Sequence, residues 1–175
     1  MIKDIDKIIL RKAFSEAEDF LKSKKIKLAL NLSIKQFLDK EYIEFLRQYD
    51  NLYEFLEIEI TENAALNNLK NSIEIIKEYK NLGVKIAIDD FGVGYSSLSH
   101  VKDLPIDKIK IDKSFIDNIV SSKGDKTLVQ AVILIAQTFN LEVIAEGVEF
   151  EDQWNTLKDL GVELFQGFYF DQPMP

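Results

Sequence analysis

Short runs of β-branched and aliphatic residues alternate along the chain with longer stretches whose apolar residues recur at helical spacing. This alternation is typical of proteins in which strands and helices follow one another. We predict six strands, at residues 26–32, 55–60, 84–89, 106–111, 141–146 and 162–167. Such a succession forms a parallel sheet with right-handed crossovers, either an open doubly wound sheet or a closed barrel.

The stretches between the predicted strands carry helix signals. A first helix is predicted over residues 4–22 with Asp4 as its N-cap, and Ser33 is predicted to cap a helix that runs to about residue 49. Gly83 is predicted to end the helix that follows the second strand. Further helices are predicted at residues 96–103, from Ser114, at 125–139 and at 150–160.

The length and composition indicate one globular domain. The chain has 175 residues, of which 46% are hydrophobic, and its 12 phenylalanines exclude a disordered chain. No linker, repeat or shift in composition divides the sequence. We therefore predict a single domain over residues 1–175.

Charge and composition exclude several classes of protein. A net charge of −8 argues against binding to a nucleic-acid polymer or an anionic membrane, because both require a positive field. No stretch reaches the roughly 18 apolar residues of a membrane span. Asp4 and Asp6 interrupt the region where a signal peptide is apolar, so a cytoplasmic location is predicted. Without cysteine, a metal ion would need oxygen ligands or the lone His100.

Every predicted strand has a polar side chain at its carboxyl end. These side chains are Asn31, Glu59 with Glu62, Asp89 with Asp90, Lys110 with Asp112, Glu146 with Glu149, and Gln166. In an open sheet the ligand-binding residues concentrate at one switch point, whereas in a barrel all strand ends converge on one mouth. Polar residues at all six ends favour the barrel.

An acid at the junction of a strand and a helix can instead be a helix N-cap or a residue of the first helical turn. This alternative applies to Glu62, Asp112 and Glu149, each of which precedes a predicted helix. It fits Asp89 and Asp90 poorly, because two adjacent carboxylates at a strand end repel each other unless a cation lies nearby. For that pair the sequence favours a functional site.

The charge at the predicted mouth indicates metal ions. Seven carboxylates and Lys110 give the strand ends a formal charge of −6, of which two divalent cations would cancel four. Carboxylate and amide oxygens favour Mg²⁺ or Mn²⁺, or Ca²⁺, over zinc. The chemistry that follows is metal-assisted attack of water on an anionic substrate.

Roles can be assigned within this scheme. The predicted metal ligands are Asn31, Glu59, Asp89 and Asp90. Lys110 is predicted to hold the nucleophilic water or a phosphate oxygen, although it can also be a surface lysine, and Glu146 is a candidate general base. Residues 90–97, with Gly92 and Gly94, match a dinucleotide fingerprint only weakly and better fit a mobile active-site loop.

Five segments in chain order resemble the EAL domain, the cyclic-di-GMP phosphodiesterase family of bacterial signalling. They are NLS at 31–33, EITE at 59–62, IDDFGVGYSSLSHVKDLPIDKIKIDKSFI at 88–116, VIAEGVE at 143–149 and FQGFYFDQPMP at 165–175. The resemblance implies a (β/α)8 barrel in which two Mg²⁺ or Mn²⁺ ions support hydrolysis of one phosphodiester of cyclic di-GMP to linear pGpG.

The resemblance also implies roles position by position. Asn31, Glu59, Asp89 and Asp90 match metal ligands, Lys110 the lysine near the attacking water, and Glu146 the proposed general base. Glu62 matches the glutamate that anchors the glycine loop, in which Ser96 lies, and Asp112, Glu149 and Gln166 match further pocket residues.

The sequence departs from the family near its N-terminus. The family has two initial strands, and the second carries an E-A-L-x-R segment whose glutamate binds a metal and whose arginine binds phosphate. Here the early glutamates, Glu16 and Glu18, lie in a predicted amphipathic helix. We therefore expect six of eight strands, a two-metal site that lacks one ligand, and weak or no activity of this chain alone.

Partners follow from the same reasoning. A homodimer is expected, because open strand edges need covering and the family's glycine loop lies near a subunit interface. A longer parent protein with a regulatory or diguanylate cyclase domain is also compatible with the sequence. The alternative function is a non-catalytic EAL-like module that binds cyclic di-GMP or a protein partner.

Overall fold

Six parallel strands form one sheet in the computed structural model, which describes residues 2–93 and 98–173. The strands are β1 (Leu28–Asn31), β2 (Leu56–Thr61), β3 (Lys85–Phe91), β4 (Lys108–Ile111), β5 (Glu142–Ala145) and β6 (Leu164–Phe165). Each strand pairs with the next one in the chain, in the order β1-β2-β3-β4-β5-β6. This order is that of a β/α barrel, because a doubly wound sheet reverses its strand order at a switch point.

The sheet is an incomplete barrel, as the sequence predicts, and all six strands lie within two residues of their predicted bounds. Within the described residues, β1 and β6 are its two edges.

Helices connect the strands. They are α1 (Ile2–Lys24), α2 (Ile34–Phe37), α3 (Lys40–Leu46), α4 (Glu62–Leu66), α5 (Leu69–Leu82), α6 (Lys113–Ile116), α7 (Lys123–Phe139) and α8 (Glu151–Asp159), with 3-10 helices at Arg47–Phe55 and Leu98–Asp103. None of the helices within the described ranges is long and apolar enough to cross a membrane.

The prediction of one continuous helix from Ser33 to about residue 49 is wrong. Ser33 does cap α2, but α2 ends at Phe37, and Asp39 starts a new helix by accepting a hydrogen bond from the Glu41 backbone. A short acidic side chain that bonds to nearby backbone N–H groups competes with helix continuation. The segment therefore folds as two short helices followed by a 3-10 helix.

The two faces of the sheet differ sharply in polarity. Alternate strand residues face the helices and are fully buried, and they include Ile58, Ile60, Ile86, Ile88, Ile109 and Ile111. Because successive side chains of a strand point to opposite faces, the residues between them line the inner face. These inner residues include Glu57, Glu59, Lys108 and Lys110, all of them buried. The inner face is thus charged where a typical barrel interior is aliphatic.

Candidate functional site

The ammonium group of Lys110 lies between three carboxylates at the carboxyl end of the sheet. Its Nζ is 2.7 Å from Glu59 Oε2, 2.7 Å from Glu146 Oε1 and 3.2 Å from Asp89 Oδ1. The Lys110 side chain is only 4% exposed. This arrangement excludes the alternative that Lys110 is a surface lysine.

The strand register explains why these groups meet. Glu59 of β2, Asp89 of β3 and Lys110 of β4 occupy inner positions of consecutive parallel strands. Glu146 follows β5 and continues its pairing, since its backbone N–H donates to the Ile111 carbonyl at 3.1 Å. Asn31, at the end of β1, is the register partner of Glu59. Adjacent parallel strands therefore deliver their terminal polar side chains to one mouth.

A β-bulge in β3 places two consecutive aspartates at the same site. In a regular strand Asp89 and Asp90 would point to opposite faces. Here the register shifts between Ile88 and Phe91, and Asp90 has a φ of 53°, a left-handed conformation that is uncommon for residues other than glycine. As a result, carboxylate oxygens of Asp89, Asp90 and Glu146 lie within 4.8 Å of one another.

The cluster carries more negative charge than Lys110 neutralises. Burial raises the pKa of Asp90, and the neighbouring Asp89 and Asp112 raise it further. Burial also raises the pKa of Glu146, and the Lys110 hydrogen bond offsets only part of that effect. Burial opposes the charged form of Lys110, but its hydrogen bonds to Glu146 and Glu59 outweigh burial and raise the lysine pKa.

These residues fit a hard divalent cation. Asp89, Asp90 and Glu146 offer closely spaced oxygens, and the raised carboxyl pKa values of Asp90 and Glu146 indicate that further positive charge would be favourable. Mg²⁺ and Mn²⁺ prefer such ligands. Sequence reasoning separated Glu146, as a base, from the ligands, whereas the structure puts its carboxylate in the same cluster.

Two further predicted site residues, Glu62 and Asp112, lie beside this cluster. The Glu62 carboxylate accepts a hydrogen bond from the Gly92 backbone at 3.0 Å, at the start of the glycine loop. Ser96 lies outside the described residues. Asp112 is the N-cap of α6, which is the alternative considered for it, and it also lies close enough to Asp90 to raise the pKa of that aspartate. Thr61 is the N-cap of α4 and Glu62 lies in its first turn, as that alternative allows, whereas Phe150 and not Glu149 is the N-cap of α8.

Glu149 and Gln166 line a separate cavity beside the carboxyl ends of β5 and β6. Glu149 is paired there with Lys113, a residue that the sequence reasoning did not single out. Asn31 lines another cavity, formed between α1 and β1. The structure therefore brings Glu59, Asp89, Asp90, Lys110 and Glu146 together directly, whereas Asn31, Glu149 and Gln166 line separate cavities.

A second ion pair lies one layer deeper in the barrel interior and was also missed. Lys108 Nζ is 2.8 Å from Glu57 Oε1, and both side chains are about 90% buried. Glu57 lies two residues before Glu59, and Lys108 lies two residues before Lys110. Residues two apart in a strand point to the same face of the sheet, so this spacing is the sequence signal that identifies the pair.

Comparison with known proteins agrees with this geometry. Residues 1–173 match the EAL domain family. The chain is 45% identical over 121 residues to the cyclic di-GMP phosphodiesterase NbdA of Pseudomonas aeruginosa, a match that covers 69% of this chain and 16% of that protein. The chain spans only about a fifth of the length of the curated relatives it matches.

Solved structures show the same fold. The PaMucR phosphodiesterase in a c-di-GMP complex superposes with a TM-score of 0.91 and 34% identity, over 99% of this chain and 73% of that chain. The manganese/cy-diGMP complex of BlrP1 from Klebsiella pneumoniae at pH 9.0 gives a TM-score of 0.82 and 32% identity, over 92% of this chain and 42% of that chain.

Proposed function

Because the chain belongs to the EAL domain family, we propose that it carries the metal-binding and catalytic groups of a cyclic di-GMP phosphodiesterase. The reaction is hydrolysis of one phosphodiester bond of cyclic di-GMP to linear pGpG. The observation that carries this proposal is the convergence of Asp89, Asp90, Lys110 and Glu146 at one mouth of the sheet. The relatives support the substrate, since the PaMucR structure is a c-di-GMP complex.

The carboxylate cluster would hold Mg²⁺ or Mn²⁺. Asp89 and Asp90 are the proposed ligands, with Glu59 and Asn31 from the two preceding strands. When bound, the ions supply a Lewis acid that activates water and stabilises charge on the phosphoryl group. The sequence contains no E-A-L-x-R segment, so we expect the 175 residues alone to bind the ions weakly.

Glu146 and Lys110 are proposed to transfer the proton and to stabilise charge during hydrolysis. Glu146 accepts the proton of the attacking water, and the raised pKa that burial gives its carboxyl group brings it closer to the range of an effective general base. Lys110 stays protonated because its pKa is raised, so it donates to the water or to a phosphate oxygen. The new P–O bond forms as the bond to the ribose oxygen breaks, that oxygen takes up a proton from solvent, and Glu146 returns the proton it accepted to solvent.

The test is product release by the purified chain in Mn²⁺, with pGpG quantified by chromatography. Slow turnover is expected, and Glu146→Gln should lower it by about 100-fold, within the usual range for loss of a general base. Glu142→Gln is the matched control, since Glu142 lies on the same face of β5 but its side chain is 55% exposed. Equal effects of the two variants would contradict the role of Glu146.

A non-catalytic binding module is the second candidate. In this alternative the mouth of the sheet would bind cyclic di-GMP, or a protein partner, without hydrolysis. Calorimetry separates the two functions. Metal-independent binding of cyclic di-GMP without product would support the module, and product formation that requires Mn²⁺ would support the enzyme.

We also propose a homodimer. The outer side of α7 carries apolar residues at helical spacing, namely Leu128, Ala131, Ile135 and Phe139, and Leu128 is 50% exposed. Leu128→Glu should lower a dimeric mass in light scattering to that of a monomer. Leu134→Glu is the control, because Leu134 is 64% exposed but lies on a different side of the same helix.

A regulatory or diguanylate cyclase domain in a longer parent protein, and a cytoplasmic location, stay predictions.

A further inference from the structure

Gln153 is a buried amide in the first turn of α8 that the proposed chemistry does not use. The residue is only 3% exposed. Its Oε1 atom accepts hydrogen bonds from the backbone N–H groups of Glu149 and Phe150, at 2.9 and 3.1 Å. Its Nε2 atom donates to the Ile116 carbonyl at 3.2 Å. Both lone pairs of the amide oxygen and one amide proton are therefore used, as burial of a polar side chain requires.

Helix capping explains only part of this arrangement. A glutamine at the third position of a helix often accepts from the backbone of the N-cap residue, and Phe150 is the N-cap of α8. This role accounts for the bond from Phe150, and an exposed side chain could perform it. It does not account for the burial of Gln153 or for the bond to Ile116, which lies 37 residues earlier in the chain. The side chain therefore joins two separate segments.

The two joined segments follow strands that lead to site residues. Ile116 is the last residue of α6, the helix that follows β4, and β4 carries Lys110. Residues 146–150, which we call the β5 loop, begin with Glu146 and lead into α8. The Glu146 N–H continues the pairing of β4 with β5 at the start of this loop. Gln153 connects the same two units again at its end.

The β5 loop is also held in its middle. The Val148 N–H donates to the Gln166 carbonyl at 3.0 Å, and Val148 is fully buried. Gly147 has a φ of +67°, and an added Cβ there would collide with the stem of Lys113. Backbone contacts thus fix the start and the middle of the loop, and the Gln153 amide fixes its end.

The position of the β5 loop sets the position of the proposed base. Glu146 Oε1 is 2.7 Å from Lys110 Nζ. A general base acts within hydrogen-bond reach of the proton it accepts, and a displacement of about 1 Å can lower a rate by about 100-fold. A contact that fixes the loop against the segment after β4 therefore also fixes the base relative to Lys110.

We propose that Gln153 is a positioning residue for Glu146: its amide holds the β5 loop against α6 and so keeps the base beside Lys110. This inference rests on the proposed function. Gln153 acts through Glu146 and not through contact with the substrate. Its removal should therefore slow the chemical step more than it weakens the binding of cyclic di-GMP.

Gln153→Met tests the inference, because methionine has a similar size but cannot make the three hydrogen bonds. In Mn²⁺, kcat for hydrolysis of cyclic di-GMP should fall at least about tenfold, with KM changed by less than about twofold. Gln153→Asn keeps the amide but is one methylene group shorter, so it cannot reach both segments at once. It should show the same pattern with a smaller loss.

The Glu146→Gln background separates positioning from general stability. There Gln153→Met should lower the residual kcat by less than about twofold, because the group that Gln153 positions is already lost. A residue that only stabilises the fold would lower kcat by the same factor in both backgrounds. Gln137→Met is the matched control, since Gln137 is an exposed glutamine in the last turn of α7, and it should leave kcat unchanged.

Amide hydrogen exchange measured by NMR gives a second readout that does not depend on turnover. In Gln153→Met, exchange should accelerate at Glu146 and Val148 as well as at Glu149 and Phe150, whose acceptor is removed. Unchanged exchange at Glu146 and Val148, or equal losses of kcat in the two backgrounds, would overturn the inference and leave the proposed function intact. Absence of turnover by the unaltered chain would overturn the proposed function, and the inference with it.

Discussion

The Lys110 ammonium lies 2.7 Å from the Glu146 carboxylate, although the two residues come from different strand–helix units. The contact connects the group proposed to hold water or phosphate with the group proposed to accept a proton. It also places a buried cation among carboxylates at the point where metal ions are expected. The stability of the mouth and its proposed chemistry therefore depend on the same side chains.

Replacing Lys110 by methionine should destabilise the fold strongly. The change leaves the Glu59 and Glu146 carboxylates buried without their shared cation. Loss of one partner of a buried ion pair costs about 3 to 5 kcal/mol. Urea unfolding measures this cost, and Lys102→Met is the control because Lys102 is an exposed lysine. Similar losses in the two variants would contradict the buried role of Lys110.

The deeper ion pair predicts strong coupling between Glu57 and Lys108. Lys108→Met alone leaves a buried carboxylate at Glu57 and should cost about 3 kcal/mol in the free energy of unfolding. The double variant Glu57→Gln/Lys108→Met removes both charges and should be considerably more stable than the sum of the two single effects predicts. Additive effects in a double-mutant cycle would show that the pair does not interact.

Two glycines with a positive φ predict very different costs of substitution. Gly161 has a φ of +89° but nothing within 4 Å of an added Cβ, so Gly161→Ala should cost about 1 kcal/mol through backbone strain. At Gly167 an added Cβ would collide with the Val148 backbone, so Gly167→Ala should cost several times more. Thermal unfolding compares the two variants, and a smaller effect at Gly167 would show that the loop can shift.

Asp107 predicts a specific dependence of stability on pH. Burial alone would raise the pKa of Asp107, but hydrogen bonds from Lys80, the Ile86 backbone and Lys85 outweigh burial and lower it. A carboxyl group with a depressed folded-state pKa stabilises the fold above its unfolded pKa of about 3.9, and this contribution disappears as the pH falls. Asp107→Asn should therefore cost about 1 to 2 kcal/mol at pH 7 and progressively less below about pH 4.

Urea unfolding of Asp107→Asn and of the unaltered chain across this pH range measures the difference. Asp103→Asn is the control, since Asp103 is exposed, and its effect should be near zero at every pH. A cost for Asp107→Asn that is independent of pH would contradict the assigned charge interactions.

The alternation of apolar periods was enough to predict the strands, and the polar residues at their carboxyl ends favoured a barrel over an open sheet. Isoleucines at every second position mark the buried face of β2, β3 and β4, so each strand could be located within two residues. The break in the predicted helix after Ser33 could not be seen in the same way. It depends on Asp39 bonding to the local backbone, and the apolar period continues across it.

The candidate site was predictable in composition but not in geometry. Polar residues at strand ends identify the cluster, because parallel strands deliver their carboxyl ends to one edge. Asp89 and Asp90 share a site because the strand has a bulge at Asp90. The alternation of apolar and polar residues in the sequence does not reveal this change of register. Lys113 was overlooked because it lies in a helix, and only the pairing across to Glu149 reveals its position on the cavity.

Binding of Mn²⁺ to the purified chain tests the central claim most directly, because it examines the carboxylate cluster independently of turnover. Calorimetry should show binding to the unaltered chain that Asp89→Asn weakens at least about tenfold, since one of the clustered carboxylates is lost. Asp117→Asn, which changes an aspartate outside the cluster, should bind as the unaltered chain does. Mn²⁺ affinity that is equal in all three proteins would contradict a metal site at this mouth of the sheet.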